Sequence, residues 1–298
     1  MNNLQVQFRS LQKAYHYTTF QTAIKILESK SLRFGKLNNM NDFHENDKLC
    51  FVDSNKNPIG PDSFDVLEAL QDEIYKYRQI SFSVDSDNRK GFDLHQMWGL
   101  YAEKGDGVCF VFDYDELGKM HDTNIIYDKI SYEEQIDSFV VSMSKEPNNV
   151  PNEIQTNVRS IFFHKRKEWE HEQELRFLKR CPISQKEEYL TYGSSLKYII
   201  LSSKLQDLDK ILFYQRIEKI KSCTSVPILV FGNGLLEYSL YNFEDGKFIW
   251  NSSNGYDILT PGVNCKLFFW QEGQFLWLKK LKILKMKRLC RTTSFTIS

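Results

Sequence analysis

The chain carries no excess of either charge: 39 lysines and arginines stand against 39 aspartates and glutamates. That balance removes any whole-protein attraction to nucleic acid and leaves such attraction to local patches. It has no CxxC pair. None of its six cysteines (Cys50, Cys109, Cys181, Cys223, Cys265, Cys290) stands at metal-ligand spacing from another, which excludes a cysteine-built zinc site of the usual pattern. No stretch approaches the roughly 20 consecutive apolar residues that cross a bilayer. The opening "MNNLQVQFRSLQKAYHYT" lacks a signal peptide's apolar run. The expected setting is therefore a reducing cytoplasm with reduced thiols. Internal repeats, low-complexity tracts and a regular βαβ alternation are also missing.

What is present is a globular composition, 41% hydrophobic and 26% charged, with an aromatic content of 14%. "KAYHYT" reads as a short strand with Tyr15 and Tyr17 on one face and Ala14, His16 and Thr18 on the other. "TTFQTAIKILESKSL" reads as a helix capped by Thr18 or Thr19, with Phe20, Ala23, Ile24 and Leu27 as its stripe. "QISFSVD" alternates Ile80, Phe82 and Val84 against Ser81, Ser83 and Asp85. "LHQMWGLYAEK" reads as a helix with Leu94, Trp98 and Tyr101 on one face. "VCFVFD" is apolar on both faces, as a central strand is. "NEIQTNVRSIFFHKRKEW" has helical spacing, and "KYIILSS", "VPILVFG" and "LEYSLYNF" read as strands. "KLQDLDKILFYQRIEKI" reads as a further helix, and "FEDGKFIWNSSNGYDILTPGVNC" as loop. The mixture is α+β, a single mixed-sheet core flanked by helices over residues 1–245. Residues 246–298 form an extension whose "KKLKILKMKRLCR" holds seven cations and no acid. That tail is either a solvated terminus or a contact for nucleic acid.

Chemistry concentrates in a few places. "EWEHEQELRF" puts Glu172, Glu174 and Arg176 at alternating positions, which on a strand share one face. Paired carboxylates do proton work or stabilise a cationic sugar transition state, and an arginine beside them holds one ionised or binds phosphate. A charged strand edge is the plainer alternative. His16 sits where a strand meets a helix, and Ser81 and Ser83 share a strand face. "NDFHE" offers Asn41, Asp42, His44 and Glu45, which close a turn more readily than they converge on a metal.

Taken in order, "YHYTTFQTAIKILESKSLRF", "NNMNDFHE", "ISFSVD", "QMWGLYAEKGDGVCFVFD", "FFHKRKEWEHEQELRF" and "KYIILSS" resemble a large bacterial family, domain of unknown function 2971. The resemblance spans roughly residues 12–205 and extends toward 245. The layout also resembles that of ADP-ribosyltransferases, which place a His or Arg on an early strand, a hydroxyl or aromatic residue on a middle one, and a Glu-x-Glu late in the chain. That second resemblance implies an NAD-using transferase or glycohydrolase, of the kind found among toxins and defence effectors. Glu174 would then stabilise the ribosyl cation, and Glu172 would orient it or activate the acceptor. His16 would bond a ribose or phosphate, and Ser83 would support the pocket. Trp98 or Tyr101 would stack on a flat ring, and Arg33 or Arg176 would meet the diphosphate. Two other expectations stand beside it. One is a binding module that uses the basic tail. The other is a metal-dependent nuclease built on Asp42, His44, Glu172 and Glu174.

Overall fold

A computed structural model describes residues 12–37, 50–53, 55–59, 63–87, 89–119, 124–134 and 140–205, then 209, 213, 216, 217, 219, 220, 226, 228–232, 235–242, 247–254, 257 and 258. Asn41, Asp42, His44 and Glu45, the basic tail, and most of the helix expected over 204–220 lie outside the described residues. The chain divides into two compact units, Gln12–Lys197 and the part from Tyr198 onward.

The first unit opens with β1 (Lys13–Thr18), α1 (Phe20–Ser29), β2 (Ser31–Arg33), β3 (Gly35–Lys36) and β4 (Cys50–Val52). It continues through α2 (Phe64–Ile74), β5 (Tyr77–Val84), α3 (His95–Leu100), β6 (Val108–Asp113) and α4 (Tyr114–Lys119). Then come β7 (Ile125–Lys129), β8 (Ser131–Glu133), β9 (Val140–Ser142), α5 (Val150–Thr156), α6 (Val158–Phe162) and β10 (His164–Arg166). β11 (Glu174–Arg180) and β12 (Tyr189–Thr191) close it. Within this unit the principal sheet runs β6-β1-β5-β11-β7, antiparallel throughout, with β3 on part of β5. Helices and a mostly antiparallel sheet make it the α+β architecture that the sequence implies.

Each local preference is legible. Thr19 caps α1 by accepting from Thr22 N, and Ala23, Ile26 and Leu27 form its buried stripe. β6 is buried at every position, as its apolar residues on both faces require. α2, α5 and α6 pack Val66, Leu70, Ile154, Val158 and Phe162 against Tyr77 and Leu178 on one face. The other face is aromatic. Phe82 meets Phe112 and Phe177 edge-on, and Tyr127 stacks on Phe177 at 4.9 Å.

Two expectations change. The helix expected over 152–169 breaks into α5 and α6 and ends at Phe162. His164–Arg166 is instead extended, in parallel register with Ser131–Glu133. That pairing joins residues about thirty positions apart, and local periodicity carries no sign of it. The stretch after 245, expected as loop, contains two strands. In the second unit β13 (Leu196–Ser202) leads to β14 (Ile228–Gly232), parallel to it, then to antiparallel β15 (Leu235–Asn242), β16 (Lys247–Asn254) and β17 (Asp257–Ile258).

Candidate functional site

β1 and β5 pair only at Ala14↔Val84 and Tyr15↔Ser83, whereas β1 and β6 pair along all six residues. Further along, β5 takes β3 as its neighbour, at Gln79↔Gly35 and Arg78↔Lys36. Between these two ladders the sheet is split. The imidazole of His16 fills the place of the missing ladder bond, its Nδ1 3.1 Å from the carbonyl oxygen of Ser81. A carbonyl only accepts, so Nδ1 carries the proton and Nε2 is left as an acceptor. Burial pushes the pKa of His16 down, and the bond to Ser81 only partly offsets this.

A cavity of about 410 Å³ opens at this split. Tyr15, His16 and Tyr17 of β1 and Gln79 to Ser83 of β5 line it, with Arg33 and Gly35 at one side. Met97, Leu100 and Tyr101 supply another wall, and Lys165, Glu172 and Glu174 supply a charged one. The β1 wall is held from behind. Tyr17 Oη donates to the carbonyl of Gly91 at 2.5 Å, and a Cβ on Gly91 would stand 2.2 Å from the ring of Tyr15. The size falls within the roughly 300–1,000 Å³ usual for small-molecule sites.

The carboxylates are buried, which no strand edge requires: Glu172 is 3% exposed and Glu174 2%. They do not share a strand. β11 begins at Glu174, while Glu172 ends a 3₁₀ turn over Lys167–Glu172, and Gln173 between them adopts a left-handed conformation at φ 48°. Only Glu174 and Arg176 alternate on the strand as expected. Tyr101 Oη donates to Glu172 Oε1 at 2.6 Å, and Lys165 Nζ donates to Glu172 Oε2 at 2.6 Å. Lys165 Nζ also stands 2.8 Å from Glu174 Oε2. Arg176 grips Glu174 with Nε at 2.8 Å and Nη2 at 3.1 Å, and Ser81 Oγ donates to Oε1 at 2.6 Å. The backbone N–H of Glu174 donates to Tyr132 Oη at 2.8 Å. Burial alone would raise the pKa of Glu174, but Arg176 and Lys165 outweigh it and hold the carboxyl well below the usual carboxylate range. The result is a fixed anion with a compensating cation set, facing a cavity.

The residues expected at a site sort into three groups. His16, Ser83, Tyr101, Arg33, Glu172 and Glu174 all line the cavity. Arg176 is 1% exposed and donates Nη1 to the carbonyl of Phe162, so it braces Glu174 from behind. Trp98 is buried edge-on against Tyr17 and donates its indole N–H to the carbonyl of Phe92. The role of that indole is packing of the α3 wall. Ser83 Oγ is fully buried and has no hydrogen-bond partner among the described residues, whereas Ser81 makes the bond to Glu174. Arg33 is exposed at the mouth, 3.5 Å from Glu187. Sequence reasoning missed Lys165, which sits in the cationic run "HKRK" and reads there as solvated, and Tyr132, which carries no local signal. β8 and β10 pair these two directly, Lys165↔Tyr132, and so bring both to Glu174.

Among the described residues no group of three or more His, Cys, Asp or Glu side chains is placed to hold a metal ion, and no helix is long and apolar enough to cross a membrane. Residues 97–177 match the sequence model of a family described as Protein of unknown function (DUF2971), the family that the motifs resemble. That segment carries Tyr101, Lys165, Glu172, Glu174 and Arg176. Neither a curated protein nor a solved structure matches the chain.

Proposed function

We propose that the cavity at the β1–β5 split binds NAD and that the protein breaks the bond between its ribose and nicotinamide, passing the ADP-ribosyl group to an acceptor or to water. The observation that carries this reading is the convergence of an ionised Glu174 with Glu172, Tyr101 and a neutral, acceptor-bearing His16 on one cavity.

The chemistry is that of glycosyl transfer. As the C1′–N bond breaks, its electron pair leaves with neutral nicotinamide, and positive charge spreads over C1′ and the ring oxygen. A carboxylate that is already ionised and rigidly held stabilises that charge without reorganising, and Glu174 meets both conditions. Glu172 takes the proton of the incoming hydroxyl as its oxygen bonds to C1′. His16 Nε2 accepts from a ribose hydroxyl or a carboxamide N–H. Tyr101 offers a flat face beside Glu172, and Arg33 at the mouth meets the diphosphate.

The test is nicotinamide release from NAD by the full chain, with and without cell lysate as a source of acceptor. Glu172→Gln and Glu174→Gln, each verified as folded, are measured alongside. Release by the wild type that falls at least about a hundredfold in either variant is the expected result. Release undiminished in both variants, or none from the wild type in the presence of lysate, removes the reading.

A further inference from the structure

Lys165 stands where it serves both carboxylates at once. Its ammonium lies 2.6 Å from Glu172 Oε2 and 2.8 Å from Glu174 Oε2, with a side chain 6% exposed. The other groups facing the pair are unequal. Arg176 of β11 is bonded to Glu174 and to the carbonyl of Phe162. Tyr101, at the end of α3, gives Glu172 a neutral hydroxyl, and Ser81 of β5 does the same for Glu174. Tyr132 of β8 accepts from the backbone of Glu174, and burial, the largest influence on its phenol, raises its pKa so that it stays neutral. The ring of Trp169 lies 5.5 Å from the ammonium, and neutral His16 lines the same cavity.

Without an ammonium between them, two carboxylates this close repel each other in a poorly solvated site, and such pairs ordinarily retain a proton. We infer that Lys165, through its charge, holds the carboxylates of Glu172 and Glu174 side by side on the cavity wall, and that it is a positioning residue for the sugar chemistry proposed above. The second half of that inference rests on the NAD reading; the first half does not. A lysine serves here through its charge and reach, so arginine can replace it and methionine, of similar length, cannot.

The experiment is a carboxyl ¹³C titration of glutamate-labelled full-length protein, read beside the pH profile of nicotinamide release. Lys165→Met is expected to bring one glutamate carboxyl into the neutral range, about two units above its ordinary position. Its nicotinamide release should acquire an acid limb, falling roughly tenfold between pH 8 and pH 5.5 where the wild type stays level. Lys165→Arg should show neither change. The charge-balanced pair Lys165→Met with Glu172→Gln should show no neutral titration. A folded Lys165→Met without a new titrating carboxyl overturns the inference. A new carboxyl titration without an acid limb, in an active enzyme, overturns the positioning role. A new titration in a protein whose wild type releases no nicotinamide upholds the charge role and removes the NAD reading. If Lys165→Met does not fold, recovery of folding in the charge-balanced double variant supports the inference, and failure of both overturns it.

Discussion

Glu73 and Glu174 are both buried glutamates gripped by two cations, and their surroundings differ. Glu73, on α2, is 1% exposed in its side chain and accepts from Arg180 Nε, from Arg180 Nη2 at 3.0 Å and from Lys76 Nζ at 2.8 Å. Its cations reach out to solvent: the side chains of Arg180 and Lys76 are 49% and 26% exposed. The cations of Glu174 are 1% and 6% exposed. In both cases burial works to raise the pKa and the cations reverse it. Water and salt share the work at Glu73, which rivets α2 to the far end of β11. At Glu174 the protein does it alone, and the carboxylate it fixes lies against a cavity. A carboxylate held for packing needs no such opening; one held for chemistry does.

The largest test of that contrast is stability. Glu174→Gln leaves two buried cations short of their partner and is expected to cost about 3–5 kcal/mol in urea unfolding. Glu73→Gln leaves cations that water already reaches and is expected to cost about 1–2 kcal/mol, less at high salt. Equal costs, or equal salt sensitivity, would erase the distinction.

The pH dependence sharpens it. The folded pKa of Glu174 lies below its ordinary value of 4.5. Its stabilising contribution is therefore fully present above that value and is lost as the pH falls below it toward the folded pKa. The gap between wild type and Glu174→Gln should be constant from pH 8 to 5 and close progressively below about pH 4.5. A gap that closes near neutrality would contradict the ionised state assigned to Glu174.

A smaller effect is expected at the mouth. Arg33 and Glu187 are 65% and 53% exposed, and a diphosphate entering beside Arg33 competes with that carboxylate. Glu187→Gln should tighten ADP-ribose binding about two- to threefold at low ionic strength, an advantage that salt removes. An unchanged affinity would take Arg33 out of the anion contact.

Much of the first unit was legible because its signals are local. Alternation in "KAYHYT" and "QISFSVD" sets the faces of β1 and β5, and the unbroken apolar "VCFVFD" marks a strand buried on both sides. Glu174 and Arg176 announced themselves by spacing. The remainder depends on pairing between distant segments. Lys165 becomes a buried cation only because Ser131–Glu133 draws its segment out of a helical pattern. Residues 247–254 extend because Leu235–Asn242 lies beside them, although their asparagines and serines read as loop. Trp98 lies off the cavity because Met97, Leu100 and Tyr101 form the wall there, while its ring packs against Tyr17 and its indole N–H donates to the carbonyl of Phe92.

The central claim is that the split between β1 and β5 is a site for an ADP-ribosyl ligand. Calorimetric titration of the full chain with ADP-ribose and with NAD tests it most directly, with Arg33→Ala and Tyr101→Ala as partners. One saturable site that weakens about tenfold in each variant is the predicted result. Absence of saturable binding to the wild type at millimolar ligand, or binding indifferent to both substitutions, would contradict it.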